Sequence, residues 1–189
     1  MAEVRRIRTE ALKEADLRIG DKILLSGYVY TARDAAHKRI AAMLDAGEET
    51  PFPIDGAVIY YAGPTPAPPG KPIGSCGPTT SGRMDPYAPR LLDLGLAGMI
   101  GKGERSQAVR DAVARNGAVY LCAVGGAGAL AARCIKSLEV IAFEDLGCES
   151  VKRLYIEDFP RVVCNDAKGG DLFSEGRTAF RKEDALGGV

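Results

Sequence analysis

Apolar residues fall in short runs divided by glycine, proline and charge, and the spacing within the runs alternates between two periods. Five runs read as strands: Ile23–Tyr30, Ala57–Tyr61, Leu96–Ile100, Ala118–Val124 and Leu138–Phe143, of which Ala57–Tyr61 and Ala118–Val124 are apolar enough to be buried. Gly27, inside the first, predicts a bulge or a close backbone approach. Between them the spacing lengthens to three and four. Ala35, Ile40, Met43 and Leu44 predict a helix from Thr31 to about Asp45, stopped by Gly47. Pro86–Leu94, ended by Gly95, and Glu104–Asn116, with Val109 and Val113 inward and Gly117 beyond, predict two more. The small residues Gly125–Gly128 open another, to about Arg133, where glycine permits close packing.

The ends of the chain are less regular. Val4, Ile7, Leu12, Leu17 and Ile19 alternate weakly, and Asp16–Asp21 reads as a short strand entering a turn. Leu154–Phe159 alternates as a more exposed strand, Arg161–Asn165 reads as the last one, and Lys168–Asp171 as a turn. From about Ser174 the chain is a polar, loose tail. Four prolines within 63–70 rule out a central strand there and predict a stiff extended loop. The sum is an α/β fold, with mixed sheets and a helix after most central strands.

Composition narrows the function. With 25 basic and 25 acidic residues the net charge is zero, which removes the basic field that a phosphate-backbone binder needs. Aromatic residues are 6% and tryptophan is absent, so a base-stacking platform is unsupported as well. The chain holds no apolar run long enough to span a bilayer and no apolar signal core near Met1, from which a cytoplasmic protein is expected. Cys76, Cys122, Cys134, Cys148 and Cys164 are odd in number and widely spaced, which argues against a disulfide framework or a zinc site within this chain.

Candidate chemistry gathers in Cys76-Gly-Pro-Thr-Thr-Ser-Gly-Arg-Met-Asp85. Two glycines, a proline, three hydroxyls, an arginine and an aspartate suit neither a helix nor a strand interior. Thr79, Thr80 and Ser81 are helix-start residues, and a helix from Pro86 would place the loop at its N-terminus, a natural site for an anion. The bland alternative is a capped turn before a core helix. Two further places share the character. Arg33 and His37, the only histidine, stand four apart in the first turns of a predicted helix, with Arg33 set against the helix dipole. Lys102 sits between Gly101 and Gly103 at the end of a strand. Ligands in open α/β sheets bind at the carboxyl ends of strands, so convergence of the three would form a cationic, hydroxyl-lined pocket suited to a small dicarboxylate. Nucleotide templates fit poorly: a phosphate-binding loop ending at Lys102 would need glycine at Leu96 and a hydroxyl at Gly103.

The Cys76–Asp85 motif, with Pro89-Arg-Leu-Leu92, Gly98–Gly103, Arg33-Asp-Ala-Ala-His37, Glu144–Gly147, Leu154–Pro160 and Asn165-Asp166, closely resembles the β subunit of class I fumarate hydratases and equally that of L-tartrate dehydratases. The likeness covers roughly residues 10–173. It implies a swivelling β/β/α domain occupying residues 1–173, with a polar tail at 174–189. It implies a partner α subunit, which carries a [4Fe–4S] cluster on its own three cysteines, so that this chain supplies no metal ligand. It further implies that Arg33, Arg83 and Lys102 hold substrate carboxylates and that Thr79 moves the proton at C3. His37, Asp85 and Thr80 would stand behind these: His37 as a supporting or core-satisfied imidazole, Asp85 as the group that orients Arg83 or caps the helix. The expected reaction is the interconversion of (S)-malate with fumarate and water, or tartrate dehydration to oxaloacetate, and β–β contact in a higher oligomer is a further expectation. Against these stand a non-catalytic anion-binding module and a purely structural protein.

Overall fold

The computed structural model describes residues 4–181. Seven strands form one sheet: β1 (Arg5–Arg8), β2 (Lys22–Thr31), β3 (Val58–Tyr60), β4 (Gly98–Gly101), β5 (Val119–Cys122), β6 (Ile135–Ala142) and β7 (Val151–Asn165). Five helices accompany them: α1 (Asp34–Ala46), α2 (Ala88–Asp93), α3 (Gln107–Arg115), α4 (Gly128–Cys134) and α5 (Leu172–Phe180). The expected α/β class is observed, but the mixed sheets are one. β2, β3, β4 and β5 run parallel, and β7 pairs antiparallel with both β5 and β2. Those pairings close the five strands into a ring, with β1 added beside β2 and β6 beside β7.

Closure explains why the central strands are apolar at every position. Val58 and Tyr60 of β3, Ile100 of β4, and Val119 and Leu121 of β5 join Leu25, Val29, Leu154, Ile156, Phe159 and Val163 in one core inside the ring. The alternate residues Ile59, Tyr61, Met99 and Tyr120 form a second core outside it, under Ala36 and Ile40 of α1, Leu91 and Leu92 of α2, and Val109 and Val113 of α3. A strand covered on both faces loses the alternation that would otherwise mark it.

Several elements depart from the sequence reading. The first strand is Arg5–Arg8 rather than Asp16–Asp21, which is a loop turning at Gly20 (φ 84°). Arg-Arg-Ile-Arg is half-exposed and pairs on one edge only, so it needs little apolar content. Leu154–Phe159 and Arg161–Asn165 are one strand, β7. Pro160 does not break it because pairing to β6 ends opposite Ile156 and pairing to β5 begins opposite Val162, leaving that edge free of a ladder at the proline. Gly27 makes the close approach that was expected: a Cβ there would lie 2.0 Å from Thr9 Oγ1. The adjacent bulge belongs to β7, where Asp158 takes φ 44°. The tail is partly ordered, since Ser174 to Phe180 belongs to α5, whose first turn is capped by Asp171 accepting from Phe173 N at 3.2 Å. Residues 182–189 of that tail lie outside the described residues. Among the described residues no helix is long and apolar enough to cross a membrane.

Candidate active site at the carboxyl ends of the parallel strands

The Cys76–Asp85 loop lies where β3 and β4 end. Thr79 N donates to Tyr61 O at 2.7 Å, Ser81 N donates to Lys102 O at 2.9 Å, and Thr80 and Lys102 form a parallel bridge. The loop thus extends the sheet past the ends of two strands and holds Thr79 and Lys102 close along the backbone. It does not run into an α-helix as expected. Ser81–Met84 is a single 3-10 turn, α2 begins only at Ala88, and Thr80 caps the turn by backbone alone. Glycines 77 and 82 and the intervening Pro78 favour this tight turn over a helical start. The anion-site argument therefore passes from helix N–H groups to side chains.

Three of the side chains singled out form one connected group. Arg83 Nε is 2.8 Å from Asp34 Oδ1, and Arg83 Nη1 reaches Thr79 Oγ1 at 3.5 Å. Arg33 Nε lies 3.9 Å from Asp34 Oδ2, and Arg33 Nη2 3.5 Å from Glu149 Oε1. Asp34 and Glu149 were not singled out from sequence. Asp34 sits between the two arginines, and Glu149 also accepts from Ala35 N at 3.1 Å, which caps α1. Arg33 itself is the residue before that helix, with extended backbone (φ −120°, ψ −161°). Its conflict with the helix dipole is relieved by these two carboxylates. Lys102, half-buried, joins through its backbone bridge to Thr80, which is exposed.

His37 does not share a face with the Arg33 side chain. It points inward, 1% exposed, against the rings of Tyr61 and Tyr87. Its Nδ1 is 2.9 Å from Arg33 O, which also accepts from His37 N at 2.8 Å. An oxygen that only accepts fixes the proton on Nδ1 and leaves Nε2 bare, buried and without a partner. Burial holds the imidazole neutral, with its pKa lowered to about 4. The ring supports the backbone of Arg33.

Asp85 orients a different arginine from the one expected. Its carboxylate meets Arg105 Nε at 2.7 Å and Ser106 N at 2.6 Å, so it caps α3. The Arg105 side chain is wholly buried and its guanidinium lies over the rings of Tyr61 and Tyr120, at 5.3 and 5.0 Å. The Tyr120 hydroxyl is 2.8 Å from both Gly103 O and Ser81 Oγ. It has one proton, so it donates to the carbonyl and accepts from the serine. Ser81, buried in the motif, is thereby a structural hydroxyl, and a Cβ at Gly101 would meet its Oγ at 1.9 Å. Arg105, Ser81 and Tyr120 form a connected, buried floor for the loop, tied to it at Ser81 and to the chain just past β4 at Gly103. Among the described residues no three His, Cys, Asp or Glu side chains are grouped to hold a metal ion.

Residues 2–176 match the family model described as "Fumarase C-terminus". The chain belongs to that family. It is 43% identical over 159 residues to "Fumarate hydratase class I, anaerobic" of Escherichia coli, which covers 83% of this chain and 29% of the relative. It is 41% identical to "Fumarate hydratase 2" of Leishmania major, over 83% of this chain and 28% of the relative. A "Putative L(+)-tartrate dehydratase subunit beta" of Methanocaldococcus jannaschii is 34% identical over 184 residues, 92% of both chains. This fumarase C-terminus chain therefore spans under a third of the length of the fumarate hydratases it matches, and nearly all of a β subunit.

Proposed function

We propose that this chain is the β subunit of a hydro-lyase that interconverts (S)-malate with fumarate and water, and that it supplies the carboxylate-binding and proton-transfer residues. The observation that carries the reading is the Arg33–Asp34–Arg83–Thr79 group at the strand ends, with Lys102 bridged beside it. Arg83 and Arg33 offer guanidinium forks and Lys102 a point charge, which together neutralise a dicarboxylate and fix its orientation. The carboxylate next to C3 gains negative character as the C3 proton leaves, and a cation held against it stabilises that charge. Thr79 Oγ1 takes the proton. A threonine hydroxyl is a poor base unaided, and the Arg83 N–H directed at its oxygen favours the deprotonated form.

In this reading the iron–sulfur cluster is held by the α subunit and takes no ligand from this chain. There it supplies a Lewis acid for the departing C2 hydroxyl. His37 and Asp85 act through others: His37 through the Arg33 carbonyl, Asp85 through Arg105 and the floor of the loop. Thr80 contributes its backbone bridge to Lys102.

Tartrate dehydration is the second reading, favoured by the end-to-end match to a tartrate dehydratase β subunit. The two substrates differ by a hydroxyl at C3. The test is an anaerobic assay of this chain mixed with its α chain and reconstituted with iron and sulfide, each chain alone serving as control. Fumarate formed from malate only in the mixture supports the first reading, and oxaloacetate formed preferentially from tartrate supports the second. No dehydration of either by a cluster-loaded complex overturns both.

A further inference from the structure

Lys152, the second residue of β7, is 6% exposed. Among the described residues its ammonium pairs with no carboxylate; its partners are four oxygens of the segment just before it. Nζ lies 3.1 Å from Gly147 O, 3.2 Å from Cys148 O, 3.2 Å from Ser150 O and 2.6 Å from Ser150 Oγ. Ser150 Oγ in turn donates to Gly147 O at 2.8 Å. The backbone of this segment is irregular. Phe143 and Gly147 both take positive φ, at 56° and 57°, and Gly147 interrupts the 3-10 turns of Glu144–Glu149. Three carbonyls aimed at one part-buried centre repel one another and are costly without a donor. The ammonium, with its three N–H bonds, is the donor that lets them converge.

The residues on either side of Glu149 are thereby fixed, and Glu149 makes two contacts at the start of α1. Oε2 accepts from Ala35 N at 3.1 Å, and Oε1 lies 3.5 Å from Arg33 Nη2. The same segment reaches Arg33 by its backbone. A Cβ at Gly63 would meet Arg33 Nη1 at 2.8 Å and Cys148 O at 3.1 Å, so guanidinium and carbonyl share the space that the glycine leaves. A second tie comes from Thr31, two residues before Arg33. Its hydroxyl donates to Ser150 O at 3.3 Å and accepts from Lys152 N at 3.1 Å.

We propose that Lys152 is a positioning residue for substrate binding: by gathering the carbonyls of Gly147, Cys148 and Ser150 it seats Glu149, and Glu149 sets the Arg33 guanidinium for a substrate carboxylate. The inference rests on the reading of Arg33 as a carboxylate-binding residue.

Lys152→Met keeps the length of the stem and removes the ammonium. Ala35 stands in the first turn of α1, where a backbone N–H has no partner within the helix, so its exchange with deuterium reports whether Glu149 is seated. Read by NMR on the full chain, exchange at Ala35 is expected to quicken by about tenfold or more in Lys152→Met and in Glu149→Ala. In the assembled enzyme Lys152→Met is expected to raise KM by about tenfold with kcat within about threefold, since a contact to the carboxylate is present in substrate and transition state alike. Lys152→Met added to Glu149→Ala should do little more than Glu149→Ala alone, because both act through one contact; a lysine that served only stability would add its full loss. Ser150→Ala, which removes the shortest of the four contacts, serves if the Met variant does not fold, with a severalfold effect expected in the same two readings. Unchanged Ala35 exchange in a folded variant, a loss confined to kcat, or losses that multiply in the double variant overturns the proposal. A wild-type complex that dehydrates neither malate nor tartrate overturns the function instead, and the exchange at Ala35, read without substrate, still decides whether Lys152 seats Glu149.

Discussion

Arg83 donates to two groups at once: Nε lies 2.8 Å from Asp34 Oδ1, and Nη1 lies 3.5 Å from Thr79 Oγ1. One arginine is thus fixed by a carboxylate on α1 while it faces the hydroxyl proposed to carry the proton. The fork has a set direction, which a lysine cannot reproduce. In the assembled enzyme Arg83→Lys is expected to lower kcat/KM by about a hundredfold or more, the scale of a misplaced catalytic contact. Asp34→Asn keeps the shape but weakens the hold on Arg83, and should lower kcat/KM by about tenfold with little change in melting temperature. Steady-state kinetics on both variants check this. Full activity in Arg83→Lys would remove Arg83 from the site.

Thr79 is tested by the size of its hydroxyl's contribution. Thr79→Ser should retain most of the activity, and Thr79→Ala should lose about a hundredfold to ten-thousandfold in kcat, the range of a general base. Equal rates in the three proteins would assign proton transfer to another group. Circular dichroism separates this from unfolding, since Thr79 holds the loop through its backbone N–H to Tyr61 rather than through its side chain.

His37 makes stability depend on pH. Its folded pKa is lowered from 6.5 to about 4 because burial disfavours the charged ring. Between these values the unfolded chain binds a proton that the folded chain does not. Stability is therefore complete above about pH 6.5, falls as pH drops toward 4, and is flat with respect to this group below that. The whole loss is about 3 kcal/mol. Urea unfolding of the wild type and of His37→Gln, at several values between pH 7 and pH 4, measures it. The slope should be shallower in the variant over that window, and identical slopes would show that the imidazole is not buried neutral.

Asp85 and Arg105 form a buried ion pair, with side-chain exposures of 14% and 0%. Removing one partner leaves the other charge uncompensated, so Asp85→Ala is expected to destabilise the chain by about 3–5 kcal/mol. Loss of activity in this variant should follow loss of fold. The signature is a lowered melting temperature with kcat/KM recovering toward wild type as the assay is cooled.

Much of this architecture is written in the residues, and the exceptions share a cause. Ala57–Tyr61 and most of Ala118–Val124 are recognisable as strands because both faces are buried and the runs are continuous, whereas Ile23–Tyr30 is recognisable by its β-formers although its burial alternates and Tyr28 is exposed. Gly47 and Gly117, both in the left-handed region, end their helices as expected. Arg5–Arg8 is hidden because an edge strand needs few apolar residues. The unity of β7 is hidden because Pro160 reads as a break until its neighbours are known. In the site, Thr79, Arg83, Arg33 and Lys102 carry chemistry visible in their side chains. The long-range partners do not: Asp34 meets Arg83 across 49 positions and Asp85 meets Arg105 across 20. An acidic residue next to Arg33 in a helix start was the available signal for Asp34, since a first-turn carboxylate complements the dipole. For Arg105 and Tyr120 there was none, because only the pairing of β4 with β5 and of the motif loop with Lys102 brings them to Ser81.

Gly101 offers the sharpest test of that packing. It ends β4 under the motif loop, and a Cβ there would fall 1.9 Å from Ser81 Oγ and 2.9 Å from Tyr61 Cδ2. Its backbone is not in the left-handed region, so the constraint is space rather than conformation. Gly101→Ala should therefore cost about 1–3 kcal/mol from overpacking and should displace the loop bearing Thr79. Ser81→Gly removes the nearer obstacle and, by itself, the contact to Tyr120. If contact between these two positions is the cause, the double variant is more stable than the sum of the single losses predicts, with a coupling of about 0.5–3 kcal/mol in a double-mutant cycle. Additive losses would mean that Gly101 is needed for another reason, with Tyr61 the remaining neighbour to examine by the same cycle.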